Sequence, residues 1–281
     1  MSSILKGKEV VKRVKEDIKR DIVDLNEKDI EPTLAIVRLG ENPDDIAYEK
    51  SILKNCEGVG IEGKVYKKDL NISTEELINS VERLNEDDSI HGILIFRPLP
   101  KHIDEDIIAK TISPLKDVDC MNPLNLEKIF EGDMKGFAPC TPKAAVMIMD
   151  HYDIPLKGAH VVIINRSMVV GRPLSMMLLG KDSTVTICHS KTKDLKKFTN
   201  SADIIVTALG RSKYITNEYF NKESVVIDVG ISFDEKGKMT GDVDFENVSP
   251  NVNAITPVPG GVGSLTTSVL LSHVVLAAKN I

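Results

Sequence analysis

The run Ile255-Thr-Pro-Val-Pro-Gly-Gly-Val-Gly-Ser-Leu-Thr266 combines two prolines that stiffen the chain with three glycines that strip it of side chains. Bare backbone of this kind suits a site where a flat ligand lies against the main chain. A second segment, Ile163-Ile-Asn-Arg-Ser-Met-Val-Val-Gly-Arg-Pro173, has the form of a turn between a strand and a helix. Such a turn can set a dinucleotide's pyrophosphate at the helix N-terminus. Only Gly171 remains of the three glycines of G-x-G-x-x-G, so these residues alone leave an ordinary strand-to-helix turn open. The next strand, Thr184-Val-Thr-Ile-Cys188, enters His189-Ser190-Lys191 without the Asp or Glu that usually holds the ribose of NAD. Arg166 can instead grip a ribose phosphate through two N–H groups. Arg166 with Ser190 therefore favours NADP as cofactor, with NAD less favoured; the alternative for Arg166 is a solvated loop cation.

The elements that must position these residues alternate. An amphipathic helix carries Val10, Val11, Val14, Ile18 and Ile22, and a buried strand covers Thr33–Leu39. Gly40-Glu-Asn-Pro43 turns into a helix with Tyr48, Ile52 and Cys56 at i, i+4 and i+8. A strand at Lys64–Leu70, a helix at Thr74–Leu84 entered through Ser73, and a strand at Gly92–Phe96 follow. Lys116-Asp-Val-Asp119 reads as a polar loop. Thr141 is positioned to cap a helix with Pro142 first, running over Lys143–Tyr152. A second series has strands at His160–Ile164, Thr184–Cys188, Ile204–Ala208 and Ser224–Val229, with a helix at Val170–Leu179. A last helix spans about Leu265–Lys279. Such alternation predicts an α/β fold with mainly parallel sheets.

The chain's 281 residues allow one large domain or two ordinary ones. Its net charge of −6 is spread over interspersed signs, with no basic stripe for nucleic acid. No apolar run is expected to reach the roughly 20 residues that span a bilayer. The start, Met-Ser-Ser-Ile-Leu-Lys, lacks the apolar core of a signal peptide. Cys56, Cys120, Cys140 and Cys188 are scattered, which predicts free thiols in a reducing cytoplasm and no metal site. Tryptophan is absent and aromatics are 4%, so base stacking is not expected.

Together these segments resemble the methylenetetrahydrofolate dehydrogenase/methenyltetrahydrofolate cyclohydrolase family over nearly the whole chain. The resemblance rests on Gly40-Glu-Asn-Pro43 with Tyr48, Gly92-Ile-Leu-Ile with Pro98-Leu-Pro100, Lys116-Asp-Val-Asp119 and Pro139-Cys-Thr-Pro142. It continues through Arg166-Ser167 with Val170-Gly171, Cys188-His-Ser-Lys-Thr192, Val226-Ile-Asp-Val-Gly230, Gly241-Asp-Val243 and Thr256-Pro-Val-Pro-Gly-Gly-Val-Gly263. It implies two domains with a cleft between them. Residues 1–142 with 265–281 would form a discontinuous N-terminal αβα folate/catalytic domain, and 143–264 a Rossmann-type NADP-binding domain. The latter would join a homodimer. NADP would lie near Asn165, Arg166, Ser167, Gly171, His189, Ser190 and Ile231. The tetrahydrofolate substrate would meet Tyr48, Pro98, Leu99, Asp119, Pro259, Gly260, Gly261 and Thr266. Tyr48 would stack on its flat rings, and Asp119 would accept the adjacent N–H donors of the pterin edge.

The chain departs from the family pattern where proton chemistry would be done. The usual Tyr-x-x-x-Lys is here Tyr48-Glu-Lys-Ser-Ile52, with Lys50 and Lys54 placed to face away. The usual Val-Gln-Leu-Pro is Ile95-Phe96-Arg97-Pro98, with Arg97 expected on the strand face opposite Phe96. Asp44-Asp45 follow Asn42-Pro43 in place of a serine, and Asn165 stands for a glycine. Hydride transfer from the methylene bridge needs orientation, not proton removal, so NADP-dependent dehydrogenase activity in one-carbon and purine metabolism is expected. The cyclohydrolase step needs proton transfers that isoleucine cannot make; losing a placed proton-transfer group costs about 10²- to 10⁴-fold. Weak or absent cyclohydrolase is therefore expected, with a separate enzyme supplying it. Alternatives are a bifunctional enzyme making 10-formyltetrahydrofolate through a displaced lysine or Asp45, a dehydrogenase of a shikimate-type hydroxyl, and a non-catalytic folate- or nucleotide-binding module.

Overall fold

A computed structural model describes residues 2–133 and 135–280. The first half of the chain runs β1 (Ser3–Ile4), α1 (Lys8–Asn26), β2 (Thr33–Leu39), α2 (Pro43–Glu57), β3 (Glu62–Lys68), α3 (Thr74–Glu86), β4 (Gly92–Ile95), α4 (Glu105–Thr111), α5 (Pro123–Phe130) and α6 (Cys140–His151). The second runs β5 (His160–Ile164), α7 (Gly171–Leu179), β6 (Thr184–Cys188), α8 (Leu195–Asn200), β7 (Ile204–Thr207), β8 (Val225–Asp228), β9 (Ser232–Phe233), β10 (Met239–Thr240), α9 (Phe245–Val248), β11 (Ala254–Ile255) and α10 (Thr266–Asn280). Its contacts form two compact units: Arg13–Ala138 with the chain from Thr267 onward, and the chain through Lys12 with Pro139–Thr266.

The first unit is built on a parallel sheet in the order β3-β2-β4. All seven residues of β2, Thr-Leu-Ala-Ile-Val-Arg-Leu, are buried, as befits a central strand covered on both faces. A capping box between Ser73 and Glu76 starts α3 and turns Leu77, Val81 and Leu84 into the core. Gly92 is required by space, since a Cβ there would come within 2.8 Å of the Val118 side chain. Lys116-Asp-Val-Asp119 is not the exposed polar loop its composition suggested. Lys116 and Asp117 are buried, and Asp117 bridges to Ile93 beside β4. Polar residues can go inside here because their partners are local: Asp117 accepts N–H groups from Met121 and Asn122, each at 2.8 Å, and Nδ2 of Asn125 at 2.9 Å.

The second unit carries a six-stranded parallel sheet in the order β1-β11-β8-β7-β5-β6. The chain leaves β5 for β6 on one side and then crosses to β7 on the other, which opens a crevice at the strand ends between β5 and β7. The contacts group the first twelve residues with this unit, not with the folate domain assigned to residues 1–142. The cause is β1, which pairs Ser3 with Ala254 and Ile4 with Ile255; two residues are too few to show a strand period. The far boundary also differs, with Pro139–Pro142 and Leu265–Thr266 in this unit. Helix α6 starts at Cys140 behind Pro139, without a side-chain cap, so Pro142 lies inside the first turn and Thr141 is not the cap. Proline is tolerated there because the first N–H groups of a helix have no partner within it.

The expectation that no apolar stretch reaches membrane-spanning length needs correction. The 19-residue stretch Val262–Asn280, which ends in α10, has a mean hydropathy of 1.4, but 61% of its most apolar part is buried inside the protein. His273, within α10, bonds to the Val118 carbonyl oxygen at 2.8 Å, as a core helix can.

Candidate active site

In the first unit, α2 begins behind Asn42, whose side chain accepts the Asp44 N–H at 2.9 Å. That start fixes the phase of the helix. Tyr48 emerges 44% exposed, while Ile52, one turn later, is 0% exposed. The Tyr48 ring lies 5.3 Å from the ring of Phe96, tilted by 32°, and Phe96 is itself buried. The positions that the resemblance gives to a lysine and a glutamine are therefore filled by apolar groups, one inside the core and one backing the tyrosine. Lys50 and Lys54 are exposed. Lys116, the buried amine of this unit, donates to the carbonyl oxygens of Leu84 at 3.2 Å and Asp87 at 2.8 Å. Burial pushes its pKa below the ordinary lysine value, but its hydrogen bonds commit it to the end of α3. A cavity of about 620 Å³ is lined by Phe96, Pro98 and Leu99 together with Asp45 and His102.

Strand alternation did not reveal where the Arg97 side chain ends. Its Nη2 lies 3.1 Å from Oδ2 of Asp119, the carboxylate assigned to the pterin, and its Nη1 lies 3.8 Å from Oε1 of Glu105. A second arginine, Arg38 in β2, is buried beneath α2. Its Nε donates to Oε2 of Glu49 at 2.7 Å, and its Nη1 donates to the Gly40 carbonyl oxygen. Glu49 adjoins Tyr48 in the chain, so this buried pair anchors the helix that presents the tyrosine. A charge inside the apolar run Leu34–Leu39 was the available signal for it.

In the second unit, Asn165 organises the turn after β5. Its Nδ2 donates to the Ala208 carbonyl oxygen at 2.6 Å, bridging the ends of β5 and β7 at the crevice. Its Oδ1 accepts the N–H groups of Ser167 at 2.7 Å and Gly171 at 3.1 Å. An asparagine side chain thus performs the ordering that a glycine-poor turn needs. Gly171 cannot be exchanged, because a Cβ there would lie 2.0 Å from the Asn165 carbonyl oxygen. Arg166, Ser167 and Ser190 are exposed. The register Ile164↔Cys188 sets Arg166 and Ser190 each two residues beyond the same edge of neighbouring parallel strands. His189 Nδ1 accepts the Lys191 N–H at 3.1 Å, and the His189 N–H reaches Thr192 Oγ1 at 2.8 Å, closing the loop after β6. The exposed guanidinium and the strand end without an acid suit a phosphorylated ribose.

A cavity of about 220 Å³ in the same unit is lined by Ile231, Pro259, Gly260 and Gly261, with Asp228 at its base. Gly260 has φ of +100°, and a Cβ on Gly261 would lie 2.5 Å from the Pro257 carbonyl oxygen, so both glycines are demanded by the turn. Thr266 Oγ1 donates to the Gly263 carbonyl oxygen at 3.1 Å, closing the start of α10. Composition gave no role to Asp228. Its carboxylate accepts Thr207 Oγ1 and the N–H groups of Gly230, Asp242 and Val243 at 2.9 to 3.1 Å. Burial and the nearby Asp242 carboxylate raise its pKa to about 6, against the lowering by its N–H donors. An acid closing the apolar strand Val225–Asp228 was the clue in the sequence.

Comparison with known proteins identifies the family. Residues 5–119 match the tetrahydrofolate dehydrogenase/cyclohydrolase catalytic domain, and residues 139–281 the NAD(P)-binding domain of the same family. The bifunctional protein FolD of Clostridium botulinum is 58% identical over 279 residues, covering 99% of each chain. The crystal structure of the bifunctional FolD dehydrogenase/cyclohydrolase from Campylobacter jejuni is similar with a TM-score of 0.97 and 43% identity, over 100% of this chain and 99% of that one. That of the Trypanosoma brucei dehydrogenase-cyclohydrolase, complexed with NADP and an inhibitor, gives a TM-score of 0.93 and 30% identity over 99% and 98% of the two chains. The chain belongs to the tetrahydrofolate dehydrogenase/cyclohydrolase family.

Proposed function

We propose that this protein oxidises 5,10-methylenetetrahydrofolate to the 5,10-methenyl compound with NADP, and that it hydrolyses the methenyl product feebly or not at all. NADP, when bound, accepts the hydride at its nicotinamide ring. The bridge C–H bond breaks with its electron pair, and a neighbouring nitrogen lone pair forms the new C=N bond, so no proton needs a base. Tyr48, backed by Phe96, offers a flat face, and Asp119 a carboxylate for the pterin edge. In the other unit, Arg166, Ser167 and Ser190 offer donors for phosphate, and Asn165 and Gly171 keep the turn open.

The observation that carries the reading is Ile52, wholly buried one turn after Tyr48. Water addition to the methenyl cation and ring opening require a group that gains and loses protons, and an alkyl side chain offers none. Two observations favour the bifunctional reading: Asp45 lines the cavity beside Phe96, and the 58%-identical Clostridium botulinum relative is named a bifunctional protein. The decisive measurement is hydrolysis of methenyltetrahydrofolate by purified protein against the uncatalysed rate. Expected is a rate close to background, alongside NADP reduction with methylenetetrahydrofolate. Brisk hydrolysis would sink the claim of loss. Replacing Ile52→Lys together with Phe96→Gln is expected to raise hydrolysis.

A homodimer through the nucleotide unit fits β6, an edge strand with Ile187 exposed beside unpaired backbone groups. Light scattering reading one chain mass would reject it. Four buried cysteines, none in a disulfide, accord with a reducing cytoplasm.

A further inference from the structure

We propose that Arg97 is a positioning residue of this chain's folate site, holding the Asp119 carboxylate ready for the pterin edge. The inference rests on the folate reading above and deepens it. The resemblance puts leucine where this chain has Arg97, so the guanidinium is an addition to the family pattern.

Two anchors fix the arginine's base. The Phe96 N–H donates to the Val37 carbonyl oxygen at 3.0 Å, with the Phe96 side chain buried, and Pro98 restricts the chain on the other side. The guanidinium then contacts Asp119 Oδ2 at 3.1 Å. A carboxylate has about four acceptor positions on its two oxygens. Arg97 occupies one on Oδ2, and among the described residues no hydrogen bond to Oδ1 is made. Asp119 can therefore keep its arginine and still accept two adjacent N–H donors from a pterin.

The charge balance supports the same role. Glu105 Oε1 lies 3.8 Å from Nη1, so two carboxylates face one guanidinium. The substrate becomes a cation during oxidation, and an uncompensated positive charge nearby would oppose it. Arg97 meets that condition only because it is paired. It acts on where the substrate sits, not on the bond that breaks, so its loss should weaken binding in ground state and transition state alike.

Arg97→Leu restores the family residue and is the natural test. Its KM for methylenetetrahydrofolate should rise about 10- to 100-fold, in keeping with one charge-assisted contact. Its kcat should stay within about threefold of wild type and its KM for NADP should not move. Arg97→Lys should recover part of the loss, because an ammonium can still hold Oδ2. Should Arg97→Leu fail to fold, Arg97→Gln carries the same comparison. An unchanged or lower folate KM, or a fall in kcat at constant KM, overturns the proposal. If wild type itself does not reduce NADP with methylenetetrahydrofolate, the functional reading fails, and this proposal with it. A working wild type beside an unaffected Arg97→Leu sinks this proposal alone.

Discussion

The Asp228 carboxylate lies only 2.0 Å from where a Cβ on Gly241 would stand, so the strand end and the Gly241-Asp-Val243 segment lock together through backbone. Asp228 accepts the N–H groups of Asp242 and Val243, and Asp242 in turn accepts those of Leu209 at 2.5 Å and Arg211 at 2.9 Å. Two acids thereby tie three loops at the carboxyl edge of the six-stranded sheet, below the cavity that Ile231 lines.

Asp228 makes stability depend on pH in a stated direction. Burial raises its pKa from 3.8 to about 6. An acid whose pKa is higher in the folded state contributes stability below its unfolded value and loses that contribution as the pH rises through the folded one. The change amounts to about 3 kcal/mol between roughly pH 4 and pH 7. Urea unfolding of wild type and Asp228→Asn across that range should show the gap moving in the variant's favour as the pH rises. A gap independent of pH would refute the assignment.

Removing Glu49 leaves the buried Arg38 with one carboxylate, that of the exposed Glu41 at 3.5 Å. With both side chains buried, Glu49→Gln should cost about 3–5 kcal/mol, as breaking buried pairs does. Changing both, with Arg38→Met and Glu49→Leu, should recover most of it, because neither charge is left without a counterion. Denaturant midpoints of the three proteins check this. A double variant as unstable as the single one would mean the pair does more than neutralise itself.

The strands and helices were legible because their signals are local. His160–Ile164 and Thr184–Cys188 fall where their apolar runs place them, and Ser73 caps α3 as its spacing to Glu76 implies. The β1–β11 pairing was illegible, since only a partner 251 positions away makes a strand of Ser3 and Ile4. Polar networks were hidden for a related reason. Asp228 and Glu49 look like surface acids until the donors that justify their burial arrive from other elements of the fold. Arg97 shows the limit of alternation: it assigns a face to a Cβ, while a guanidinium several bonds away reaches its own partner.

Gly171→Ala should damage the nucleotide turn while sparing the folate unit. The added Cβ would meet the Asn165 carbonyl oxygen, a backbone atom that cannot swing aside. Overpacking of this kind costs about 1–3 kcal/mol. NADPH affinity, followed by fluorescence titration, should fall by about tenfold or more. Binding of tetrahydrofolate, measured without cofactor, should remain as in wild type. Equal losses of both ligands would show the damage to be global.

Cofactor choice gives the last test. Arg166 is exposed at the start of the turn, and β6 ends in Cys188-His-Ser without an acid. A guanidinium there gains charge-assisted hydrogen bonds from a 2′-phosphate and none from a bare 2′-hydroxyl. One such contact contributes about 1.5–3 kcal/mol, or about 10- to 150-fold in preference. Arg166→Ala should lower kcat/KM for NADP by that factor and leave the value for NAD nearly unchanged. Initial rates with both cofactors on one methylene substrate separate the outcomes. Equal losses with NADP and NAD would place Arg166 on the shared pyrophosphate, and no loss with either would leave it a solvated cation.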